Sequence, residues 1–138
     1  MQPIIFQSDK KLLVGQSAQM SLIDNHTRQL WKTFRNRSNE VVHRISEDFF
    51  SLQIYPNDYF KRYDPKRKFQ KWAAVEVSNF DAVPANMETF TLTDGLFAVF
   101  HYKGSSADPT IFQYIYHQWL PDSNYKLDDR PHFEVLGK

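Results

Sequence analysis

Glu134 stands between Phe133 and Val135 in a run of strand character, so its side chain points to the face opposite both neighbours. A carboxylate placed this way either faces water, the usual outcome for a strand acid, or is desolvated and needs a partner. Desolvation would raise its pKa above that of a free glutamate, and an organic cation would restore the ionised form. A second acid has similar company: in KWAAVEVS, Glu76 shares a strand face with Trp72 and Ala74, while Ala73, Val75 and Val77 form the other. A ring beside a carboxylate suits a cation, although a solvated face opposite an apolar one explains the pattern equally well. The run FQYIYHQWL adds rings at helical spacing, with Phe112, Tyr116 and Trp119 along one stripe and Ile111, Ile115 and Leu120 nearer another. One stripe suffices to pack on a sheet, which leaves the other to border a cavity, with core packing the default for any single ring. Tyr55, on the polar side of FSLQIY, either lines the same cavity or marks the strand end before Pro56.

Other chemistries lose their usual warrants. The chain has no cysteine, which excludes disulfides, thiolate catalysis and cysteine-bound zinc. His26, His43, His101, His117 and His132 form no close ligand pair, so no metal is expected. There is no GxSxG, GxGxxG or phosphate loop, and no cofactor is expected. With 17 basic against 16 acidic residues, no long-range field marks a nucleic-acid or membrane binder. The run Lys61, Arg62, Lys66, Arg67, Lys68 with Tyr63 and Phe69 is diluted by Asp58 and Asp64 and reads as solvated surface. No helix-turn-helix segment accompanies it, which argues against direct DNA binding. No window approaches a membrane span and the N-terminus does not read as a secretory signal, making a cytoplasmic protein the default.

The elements that must position these residues follow from periodicity. KLLVGQSAQMSL (11–22) is extended, and Asp24 or Asn25 caps a helix that buries Leu30, Trp31 and Phe34. NRSNEVVHRIS is open between helix and connection. Strands follow at Phe50 to Tyr55 and Lys71 to Ser78, completing a strand-helix-strand-strand unit. After Thr89 to Leu92 and an Asp94-Gly95 turn, the order starts again with a strand from Leu96 to Tyr102. A helix from Pro109 to Leu120 is next, capped by Asp108 and stopped by Pro121, before the strand that carries Glu134. At 138 residues one domain over 1–138 accommodates both units.

The words LWKTF, QIYPNDYF, KWAAVEV, VPANMETFTLTDGLFAVF, FQYIYHQWLPDS and DDRPHFEV, in this order over nearly the whole chain, resemble the GyrI-like effector-binding domains found alone or fused to AraC-type and MerR-type regulators. That resemblance implies an α+β fold: two strand-helix-strand-strand units related by a pseudo-twofold, a largely antiparallel sheet, two helices on one face and a ligand cleft between the units. It further implies a standalone module, without an attached DNA-binding domain, for cationic or amphiphilic aromatic compounds. The implied site has Glu134 at its base, with Trp72, Glu76, Tyr55, Phe112, Tyr116 and Trp119 around it. Some members instead resemble small-molecule hydrolases, in which Glu134 would serve as general base. Members of the family usually close with a further strand after the FEV segment, and this sequence stops at Lys138. The expectation is an absent last strand, with a sheet edge left open or filled by a second copy in a homodimer.

Overall fold

A computed structural model describes residues 4–56, 59, 62–99, 115 and 132–136. The fold is α+β. Its elements are β1 (Ile4–Ser8), β2 (Lys11–Met20), α1 (Thr27–Arg37), β3 (Phe49–Ile54), β4 (Phe69–Val77), β5 (Glu88–Leu92), β6 (Gly95–Val99) and β7 (His132–Leu136). The chain divides into two compact units, one of Met1–Ser8 with Gly95–Asp129, the other of Asp9–Asp94 with Arg130–Lys138. In the first, β1 and β6 pair antiparallel from Ile4↔Val99 to Ser8↔Gly95. In the second, five antiparallel strands run in the order β5-β2-β4-β3-β7 with α1 on one face.

Within the larger unit, β2, α1, β3 and β4 form the strand-helix-strand-strand series that the sequence predicts. The register explains its burial. Val14 opposes Val75 and Met20 opposes Phe69, and these residues, with Ala73, Val77 and Phe49, meet Leu30 and Phe34 of α1 in one core. The alternate residues form a second apolar layer on the other face, with Leu13, Phe50, Leu52, Trp72, Ala74 and Leu92 buried, and Ile54, Phe90 and Phe133 packed against them. Period-two side-chain alternation assigns each strand residue to one of these layers.

Two boundaries differ from expectation, and the segment left open takes a definite form. The helix begins at Thr27 with His26 at its cap, one residue later than an Asn25 cap and two later than an Asp24 cap would set it, while the Asn25 side chain still accepts the Thr27 N–H at 2.9 Å. The open segment after it is a short 3₁₀ turn at Ser38–Glu40, followed by an irregular connection in which His43 has φ 65° and Arg44 bridges to Val77. Asp94-Gly95 is not a hairpin loop, because β5 pairs with β2 and β6 pairs with β1 in separate sheets. The helix read over Pro109 to Leu120 falls, Ile115 apart, outside the described residues.

Candidate ligand-binding site

β3, beside β7, and β4, the central strand, carry rings on both faces. Beside α1, Trp31, Phe34 and Phe49 meet edge to face, with centroids 6.0 to 6.3 Å apart. The Arg35 guanidinium lies 4.4 Å and that of Arg44 5.1 Å from the centre of the Phe49 ring. At the end of β3, Tyr55 packs on Tyr59 at 4.6 Å and on Phe69 at 5.3 Å, joining the core that α1 covers. On the opposite layer, Trp72 meets Phe90 at 5.5 Å and Phe50 stacks on Phe133 at 6.1 Å. Trp72 and Tyr55 therefore belong to different layers of the sheet.

Among the acids, Glu76 lies in β4 opposite Leu13, partly buried, with Lys11 Nζ 3.9 Å from its carboxylate. Glu134 occupies the middle of β7, and the backbone register sets it opposite Ser51, which is only 2% exposed. Phe112, Tyr116 and Trp119 lie outside the described residues. Sequence reasoning passed over Phe50, Phe90 and Phe133 as a joint feature, although the alternation of Phe50, Leu52 and Ile54 carried half of the signal. Two buried side-chain polar atoms of the sheet, Trp72 Nε1 in β4 and Gln16 Oε1 in β2, have no hydrogen-bond partner among the described residues.

Most of the basic run is solvated, with Arg62, Tyr63, Lys66 and Lys68 exposed, but Arg67 sits 5.8 Å from the Tyr59 ring centre. Burial pushes the Tyr59 hydroxyl above the usual tyrosine range, and the Arg67 charge offsets only part of that. Because the folded value is the higher one, the neutral phenol stabilises the fold below the unfolded tyrosine pKa of about 10. This contribution is lost as pH rises through the folded value. An ultraviolet titration should show a late-ionising phenol step that Tyr59→Phe removes. An unchanged titration in the variant would assign the shift elsewhere.

Among the described residues no cluster of three or more His, Asp or Glu side chains could hold a metal ion, and no helix is long and apolar enough to cross a membrane. Comparison with known proteins matches residues 5–138 to the family Cass2, integron-associated effector binding protein. No curated protein matches significantly. Among solved structures, the chain is similar to SAV2435 bound to tetraphenylphosphonium, with TM-score 0.74 and 16% identity over 96% of this chain and 81% of that one. It is also similar to a Staphylococcus aureus MU50 protein named for bacterial transcription regulation, with TM-score 0.66 and 15% identity over 96% and 84%. At these identities the two structures speak for the fold alone.

Proposed function

Because the chain belongs to the Cass2 family of integron-associated effector-binding proteins, a GyrI-like family, we propose that it binds cationic, amphiphilic aromatic small molecules, with rings supplying contact area and Glu134 the opposing charge. The register of β7 carries this reading. It sets Glu134 against buried Ser51 in a strand whose neighbour, β3, holds Phe49 and Phe50 on its two faces and leads into Tyr55. A carboxylate in low-dielectric surroundings discriminates by charge, and each well-placed ring adds about 0.5 to 2 kcal/mol of cation–π attraction. SAV2435, which shares the fold, holds tetraphenylphosphonium, a permanent aromatic cation, and this supports the same ligand class here. Glu76 shares the face of Trp72 and Ala74, opposite to the face of the Ser51–Ala73 row against which Glu134 is registered, and Lys11 already offsets its charge, so it takes no part in this site.

Titration with tetraphenylphosphonium and with neutral triphenylphosphine oxide, followed by calorimetry or intrinsic fluorescence, separates charge from shape. Glu134→Gln should weaken the cation by about 30-fold or more while leaving the neutral compound nearly unchanged. Glu76→Gln should have the smaller effect on the cation. Equal loss of both compounds in Glu134→Gln would refute the electrostatic role.

A further inference from the structure

The outer side of α1 carries a basic stripe. Arg28, Lys32 and Arg35 follow one another at steps of four and three residues, which places them on one side of the helix, and all three are exposed. Leu30 and Phe34, which enter the core, occupy the other side. Along the axis the stripe covers about 10 Å, at 1.5 Å per residue. The balance of 17 basic and 16 acidic residues over the chain does not extend to this helix, which contains no acid. Among the described residues, Arg37 alone of its four basic side chains has a carboxylate partner, Glu40 at 2.8 and 2.9 Å.

A second element brings its own cation to the same place. Arg44 bridges Val77, whose side chain faces α1, and its guanidinium lies 5.1 Å from the centre of the Phe49 ring. Arg35 rests on that ring at 4.4 Å and lies 5.6 Å from the centre of Trp31. Neither arginine has an acidic partner among the described residues. Arg44 donates only to the Asp48 carbonyl there, at 3.4 Å, and its Nε is buried without an acceptor. A guanidinium has five donors to satisfy, and a buried one left unpaired asks for an explanation. We propose that this ledge, with Arg28, Lys32, Arg35 and Arg44 around the Trp31 and Phe49 rings, docks an acidic segment of a partner protein. A guanidinium laid on a ring presents its edge as a rigid fork, which matches the planar carboxylate. Carboxylates at alternate residues of an extended segment stand about 7 Å apart, so two or three of them span the stripe. Four cations are fewer than the roughly 6 to 10 phosphate contacts of a typical duplex binder, which favours a peptide over nucleic acid.

The test titrates the full chain into a short fluorescein-labelled peptide of repeated Asp-Leu-Glu units at physiological ionic strength, followed by anisotropy, with the Asn-Leu-Gln isostere as uncharged control. The acidic peptide should bind saturably and the isostere should not. Arg35→Gln, a change at an exposed side chain, should weaken the acidic peptide about tenfold, the loss expected for a charge-assisted hydrogen bond, and Arg44→Gln should do the same. The double variant Lys66→Gln, Lys68→Gln removes exposed charge from the connection between β3 and β4 and should leave the isotherm unchanged. Binding that does not saturate, that is unchanged by Arg35→Gln, or that falls equally in the double lysine variant overturns the site. So does tighter binding of duplex DNA or of phosphatidylglycerol vesicles than of the peptide. No aromatic cation enters the test, so its outcome is read separately from the site at Glu134.

Discussion

Phe34→Ala should cost about 3 to 5 kcal/mol of folding stability, the range measured when a fully buried phenylalanine is truncated in a core that cannot collapse around the gap. Phe34 is 0% exposed and is the largest fully buried side chain of α1. Its ring meets Trp31 and Phe49 edge to face, while Leu30 beside it on the helix is also buried. The helix has little else to hold it. It contains no acid in its first turn, carries Arg28, Lys32, Arg35 and Arg37 without a negative residue of its own, and has no side-chain hydrogen bond from its N-cap residue. Like charges three and four residues apart oppose an isolated helix by roughly 0.2 to 0.5 kcal/mol per pair, so packing through Phe34 must supply what local sequence withholds. Urea denaturation would register the loss as a lower midpoint, and far-ultraviolet dichroism would show the helix melting with the sheet. A variant within about 0.5 kcal/mol of the parent would mean that α1 is not anchored through this ring.

Gly15→Ala should be nearly as damaging, for a reason that has nothing to do with hydrophobicity. Gly15 sits buried in β2 between Ala74 of β4 and Glu88 of β5. A methyl group built there would collide with the Ala73 carbonyl oxygen and stand 2.7 Å from Ala74 Cα and 2.8 Å from Ala74 Cβ. Two of those three atoms are backbone, which cannot swing aside without parting β2 from β4. Overpacking a core typically costs about 1 to 3 kcal/mol, and an immovable partner puts this site at or above the upper end. Adding Ala74→Gly should recover only part of the loss, because the Ala73 carbonyl and the Ala74 Cα remain in the way. Full recovery in the double variant would show that side-chain crowding alone had been at fault. Gly15 is also the β2 residue opposite Glu88, where the pairing with β5 ends.

Much of this was open to a reader of the residues. Alternation in KWAAVEV separates Trp72, Ala74 and Glu76 from Ala73, Val75 and Val77, and the structure buries the two sets in different layers. The spacing of Leu30, Trp31 and Phe34 marks one face of a helix, and burial follows it, with Trp31 half covered at the margin. The order of motifs pointed to the family that the comparison shows. What escaped were features made by two elements meeting. The Phe50 and Phe133 stack joins strands far apart in the chain, and the basic ledge at Phe49 exists only because α1 and the connection after it bring Arg35 and Arg44 onto one ring.

Sequence by itself determined which residues share a face, where the helix and the strands other than β1 form, and which family the chain belongs to, because each of these is written in spacing over a few residues or in motif order. Tertiary structure alone decided the partners. β1 leaves its neighbour β2 to pair with β6, β5 turns back to β2 instead of running into β6, and β7 adds to β3, setting Glu134 opposite Ser51. Alternation specifies a strand's faces but not its edges, whose identical rows of N–H and C=O groups accept any strand of suitable register. The choice among them rests on long-range burial that no local window contains.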